Sequence, residues 1–193
     1  MCSLYINLKL YERNKRHVSL NAYNPQMANK GKSLEDLLSY QNNQYKSMGI
    51  ANIQKISTPW TVIRRGKEIV SAFPQGKSTL DFRGTVRGGI PISFDAKESQ
   101  NEKGLPLNHI QEHQIEYIRF ALPLGEVSFV ICEIKPMQKI YLIRGGDVIS
   151  FWDRWKANQR KRGYNIIPIS AMQEIIQGYH GYACDYLSVV LNS

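Results

Sequence analysis

The amino-acid sequence predicts an α/β fold, with a mixed β-sheet flanked by helices. Three observations carry that reading. The segment IPISFDAK alternates, so Ile90, Ile92, Phe94 and Ala96 share one face of a strand, while Asp95 and Lys97 share the other. EVSFVICEIK and QKIYLIRG are rich in β-branched and aromatic residues, which favours sheet over helix. Two other stretches, around Ser33–Met48 and Asn108–Ala121, carry apolar stripes at helical spacing.

A chain of 193 residues with 42% hydrophobic content has room for one domain with a real core. Residues 1–28 contain the basic run YERNKRH and an Asn-Pro turn signal without a sustained period. They are expected to form a mobile basic arm ahead of a single domain spanning 29–193. Ser33 is a candidate N-cap for the first helix, Leu34, Leu37, Leu38, Gln41 and Tyr45 form its stripe, and Gly49 ends it. ANIQKIS reads as a strand stopped by Thr58-Pro59. Residues 59–77 hold two short apolar runs around Arg64-Arg65-Gly66-Lys67, which reads as a projecting hairpin with a basic tip.

Residues 78–99 read as two strands joined by a Gly-rich basic turn, with Asp81 and Asp95 meeting at one end. The next helix is expected over about Asn108–Ala121, with Ile110, Ile115, Ile118 and Leu122 toward the core and the polar Gln114 beside that face. Two strands follow. FWDRWKANQRKRGYN interleaves Trp152 and Trp155 with basic residues, as either a solvated amphipathic helix or a DNA-contacting face. SAMQEIIQGYHGYACDYLSVVL closes the chain as a helix and a short apolar tail.

Charge and cysteine usage narrow the function. There are 25 Lys+Arg against 16 Asp+Glu, a formal net charge of +9, which favours a polyanionic partner, nucleic acid before membrane surface. No apolar run approaches the roughly 18–20 residues of a membrane span. CSLYINLKLYERNKR breaks into charges too early for a signal peptide. Cys2, Cys132 and Cys184 are odd in number and lack metal-ligand spacing, so reduced thiols in a cytoplasmic protein are expected. His109 and His113 stand four apart without the H-E-x-x-H order, which favours structural or DNA-contacting roles.

Asp81 with Asp95-Ala96-Lys97 is the pattern that carries chemistry. Two carboxylates suffice to anchor a hard divalent cation, and an ammonium beside them can orient water or stabilise charge on a phosphate. By spacing alone, the same residues also fit a polar hairpin with a surface ion pair. The basic residues Arg83 and Arg87 on the intervening turn, and Arg64, Arg65 and Lys67 on the preceding loop, are candidate DNA contacts.

Several blocks in this order, ANKGKSLEDLL, YKSMGIANIQKISTP, STLDFRG, ISFDAKES and LPLNHIQEHQI, resemble one family. The chain is similar to the RecU-type Holliday junction resolvases of low-GC Gram-positive bacteria and their phages, within the PD-(D/E)xK nuclease superfamily. The likeness covers roughly residues 28–145. It implies a restriction-endonuclease-like core with a short projecting stalk at 60–77, and a homodimer that nicks four-way junction DNA symmetrically with Mg²⁺, or Mn²⁺ in its place.

By this resemblance Asp81 stands at the first metal aspartate and Thr79 at the threonine before it. Asp95 stands where most relatives have Glu, Lys97 at the catalytic lysine, and Gln114 at the helix glutamine of the active site. Glu35 stands at the acid of the first helix, either completing the metal shell or serving as an ordinary first-turn helix acid. The setting implied is cytoplasmic and nucleoid-associated, among host recombination proteins. The alternatives are a superfamily nuclease cutting duplex DNA and a non-catalytic DNA-binding protein.

Overall fold

A computed structural model describes residues 33–57, 60–74, 79–158, 161–178 and 181–191. The expected arm at 1–28 lies outside the described residues, as do 75–77 of the stalk and Cys2. Ser33 caps helix α1 (Leu34–Ser47) in a reciprocal capping box with Asp36. The helix buries Leu34, Leu37, Leu38, Gln41, Asn42 and Tyr45, and Gly49 follows it at φ +62, a conformation glycine adopts without strain.

Six strands make the central sheet: β1 (Ala51–Lys55), β4 (Phe82–Val86), β5 (Ile90–Ser99), β7 (Val127–Ile134), β8 (Lys139–Arg144) and β10 (Gln173–Ile175), in that spatial order. Only β5 and β7 run parallel; every other neighbouring pair is antiparallel. Helix α2 (Glu112–Ala121) makes the crossover between the parallel strands. Among the described residues, strands β2 (Trp60–Arg65) and β3 (Glu68–Pro74) pair only with each other, within the segment read as a stalk. A second small ribbon joins β6 (Gly104–Pro106) to β9 (Ile166–Pro168).

Both faces of the sheet are covered. On one, α1 and helix α4 (Tyr186–Leu191) pack on Phe82, Phe94 and Phe129. These three rings stack with centroids 4.8 and 4.9 Å apart. On the other, α2 and helix α3 (Gly145–Ala157) pack on Val130, Cys132 and Ile143. Fully burying a Phe stabilises by about 1.5–3 kcal/mol, and each aromatic pair adds about 0.5–1.5 kcal/mol. The triple stack therefore pins β4, β5 and β7 in register. Gly84 is needed where β4 meets β1: a Cβ there would lie 2.1 Å from the Asn52 carbonyl oxygen.

Four expectations need correction. Helix α2 starts at Glu112, because Leu107–His109 form a 3₁₀ turn and Ile110 is extended; His109 and His113 therefore do not share a helix face. Helix α3 starts at Gly145, inside the stretch read as strand. Its Trp152 and Trp155 are buried in the α2–α3 core, so they form no exposed aromatic face for DNA. The first half of the C-terminal stretch holds no α-helix but the short strand β10, paired to β8, and its apolar end is helix α4. Cys132 and Cys184 are free and buried, and burial pushes the Cys132 thiol up to about 12.

Candidate active site

The register of β4 and β5 assembles the site. Phe82 pairs with Phe94 on the α1 side, which carries Asp81 to the level of Asp95 on the α2 side. Asp81 Oδ2 accepts the Ala96 N–H at 3.0 Å, and the Asp81 carbonyl accepts the Ile56 N–H at 2.7 Å. Asp81 is thus held by β5 and by the residue that follows β1 together.

Asp95 is buried beneath a helix. It is 1% exposed, since α2 covers this face of β5. Its Oδ1 accepts Gln114 Nε2 at 2.7 Å, and its Oδ2 lies 2.6 Å from Lys97 Nζ. Burial raises the Asp95 pKa to about 7; Lys97 opposes the rise, and the neighbouring Asp81 carboxylate adds to it.

Gln114 is fixed at both ends of its amide. Its Oε1 accepts the Gln111 N–H at 2.9 Å, closing a capping box in the first turn of α2, while its Nε2 reaches Asp95. The helix start therefore orients the buried carboxylate. Lys97, two residues along the same face of β5, has a side chain only 17% exposed.

The other expected residues divide. Thr79 is exposed on the segment leading to Asp81. Glu35, in the first turn of α1, is engaged by Lys55 at 2.5 Å on the α1 side of the sheet. Lys55 also feels the Asp81 charge, so it links the two acids electrostatically. Arg87 lies at the far end of the β4–β5 hairpin, its Nε donating to the Gly49 carbonyl at 2.9 Å. That position separates it from the carboxylates. Arg64, Arg65 and Lys67 are exposed at the tip of the stalk. Arg83 projects on the same face as Asp95, across from Ser93.

Two further residues belong to the neighbourhood. Lys55 carried one weak signal, a lone cation ending a strand before Thr58-Pro59. Tyr117 carried a clearer one: it follows Gln114 by three positions and shares its helix face.

The donor set suits a hard cation. It offers two carboxylates, with the Thr79 hydroxyl on the adjoining segment, which is oxygen chemistry; the Gln114 amide oxygen already accepts the Gln111 N–H. Asp95 Oδ2 is buried and receives no hydrogen-bond donor besides the Lys97 ammonium, so it keeps lone-pair capacity. No cluster of three or more His, Cys, Asp or Glu side chains placed to hold a metal occurs among the described residues.

Comparison with known proteins places the chain in a family. The sequence pattern of the family described as Recombination protein U matches residues 29–192. A protein of Geobacillus sp. (strain WCH70) named Holliday junction resolvase RecU is 33% identical over 192 residues, covering 94% of this chain and 92% of that protein. One of the same name from Pediococcus pentosaceus is 35% identical over 161 residues, covering 80% and 77%. With the family pattern spanning nearly all of the chain, and relatives of this identity along most of its length, the chain belongs to the Recombination protein U family.

Proposed function

We propose that this chain is a metal-dependent endonuclease that resolves four-way DNA junctions by symmetric nicks, acting as a homodimer. One observation carries the reading: Asp81, Asp95, Lys97 and Gln114, from a loop, a strand and a helix, converge at one end of β5. The names of its relatives supply the substrate class.

Asp81 and Asp95 would hold Mg²⁺, or Mn²⁺ in its place, with Thr79 and Gln114 as further oxygen donors. When bound, the ion would polarise the scissile phosphate and lower the pKa of an attacking water. Asp95 must be ionised for this role; burial disfavours that charge in the metal-free protein, and Lys97 favours it. Gln114 keeps the Asp95 carboxylate in one orientation, so little reorganisation is needed. Lys97 presents its ammonium beside that carboxylate, placed to stabilise charge developing on the phosphate. Glu35 acts through Lys55, which it fixes at the edge of the site.

Two nicks on opposed strands call for two sites, and a two-fold dimer provides them. The basic stalk tip, Arg64, Arg65 and Lys67, is suited to the junction centre, where phosphates converge. No described helix is long and apolar enough to cross a membrane. We place the protein in the cytoplasm on the nucleoid, among host recombination proteins. Purified protein is tested on a labelled four-way junction and a matched linear duplex, with Mg²⁺, Mn²⁺ or EDTA. Paired nicks on the junction alone, dependent on metal, are expected. Equal cutting of the duplex would make it a duplex nuclease, and binding without cleavage would make it an accessory protein.

A further inference from the structure

Arg83 is held by a ring and a carboxylate although its side chain is exposed. Its side chain is 57% exposed, yet its guanidinium lies 5.8 Å from the centroid of the Tyr117 ring and 3.5 Å from Glu126 Oε2. The Tyr117 hydroxyl donates to Glu126 Oε1 at 2.8 Å, so the three residues form a closed set. Glu126, just before β7, is only 10% exposed beneath the arginine.

To reach it, Arg83 crosses β5 at Ser93. Ser93 pairs with both Arg83 and Ser128, and the two serine hydroxyls are 2.8 Å apart. These small side chains leave the arginine room to cross. Burial, with Glu126 beside it, pushes the Tyr117 hydroxyl up, so it remains a donor.

The set adjoins the carboxylates. Arg83, on β4, is two residues from Asp81, which precedes that strand, about 6.6 Å along extended backbone. Tyr117 lies one helical turn from Gln114. We propose that Arg83, oriented by Tyr117 and Glu126, clamps the phosphate next to the scissile one and so fixes the strand's register at the metal site. A fork held in place before binding loses less freedom on contact, and its exposed donors suit a phosphate oxygen. The proposal rests on the nuclease reading above.

Junctions carrying a single neutral methylphosphonate at each phosphate flanking the cut test this on the full-length protein. Cleavage of the unmodified junction by wild type checks the nuclease reading separately, and the same series read as binding in EDTA keeps this test independent of cleavage. One flanking position should cost wild type about tenfold or more, on the scale of a charge-assisted hydrogen bond. The same substitution should cost Arg83→Ala less than about threefold, because the partner is already gone. Glu126→Gln and Tyr117→Phe should fall between, lowering kcat more than they raise KM. Equal sensitivity of wild type and Arg83→Ala at every position overturns the clamp. Full wild-type sensitivity in Glu126→Gln and Tyr117→Phe overturns their orienting role.

Discussion

Replacing Asp95 by Asn should make the metal-free protein more stable at alkaline pH while abolishing its response to Mg²⁺. The carboxyl is 1% exposed, and its pKa is raised from 3.8 to about 7. The folded state thus holds this proton more tightly than the unfolded chain does. Folding carries no penalty from Asp95 below about pH 4; the penalty grows between pH 4 and 7 and is constant above. At about 1.36 kcal/mol per unit, a rise of about three units sets it at roughly 4 kcal/mol.

Asn has nearly the same shape and can still accept Gln114 Nε2, but it cannot ionise. It also deprives Lys97 of its counter-ion, which offsets part of the gain. The net expectation above pH 8 is about 1–3 kcal/mol in favour of Asn, shrinking to nothing or reversing near pH 4. Urea unfolding in EDTA across pH 4–9, repeated with Mg²⁺, measures this. Mg²⁺ should raise the midpoint of wild type and leave the Asn variant unchanged. A variant less stable than wild type at pH 8.5, or a gap that does not change with pH, would refute the argument from burial.

Lys97→Ala should lower the cleavage rate by about 10² or more while leaving metal affinity largely intact, since ammonium groups do not bind cations; single-turnover rates and metal titration separate the two, and a defect confined to metal binding contradicts the role. Phe94→Ala removes the middle ring of the stack and should cost about 3–5 kcal/mol by chemical denaturation; a loss below 1 kcal/mol would mean the stack does not hold the register. Replacing Arg64, Arg65 and Lys67 together with Ala should weaken junction binding more than duplex binding and lower the log–log salt slope by about 0.9 for each phosphate the stalk no longer neutralises. An equal loss on both DNAs would reduce the stalk tip to a nonspecific patch, and circular dichroism should show the fold unchanged.

What was legible in the sequence was local. Alternation in IPISFDAK assigned Asp95 and Lys97 to one face because a strand repeats every two residues. The stripe and cap of α1 sat within one element and were readable to its ends. What was not legible depended on distant neighbours. Asp95 is buried because α2 returns over β5, and no spacing within β5 says so. Trp152 and Trp155 stand among basic residues in the sequence, but they lie three apart and turn together into the α2–α3 core. Strand β10 is short, and its pairing with β8 overrides a sequence that would also suit a helix. Among the candidate site residues, the blocks around Asp81, Asp95 and Gln114 were readable as a family pattern. Arg83's partners Tyr117 and Glu126 come from two further elements that only the fold brings together.

Incubating wild type, Asp81→Asn and Asp95→Asn with a labelled four-way junction in Mg²⁺ measures whether the two carboxylates drive cleavage. Wild type should release paired symmetric nicks. Each variant should bind the junction yet cleave at least about 10² more slowly. Near-wild-type nicking by either variant would contradict the account.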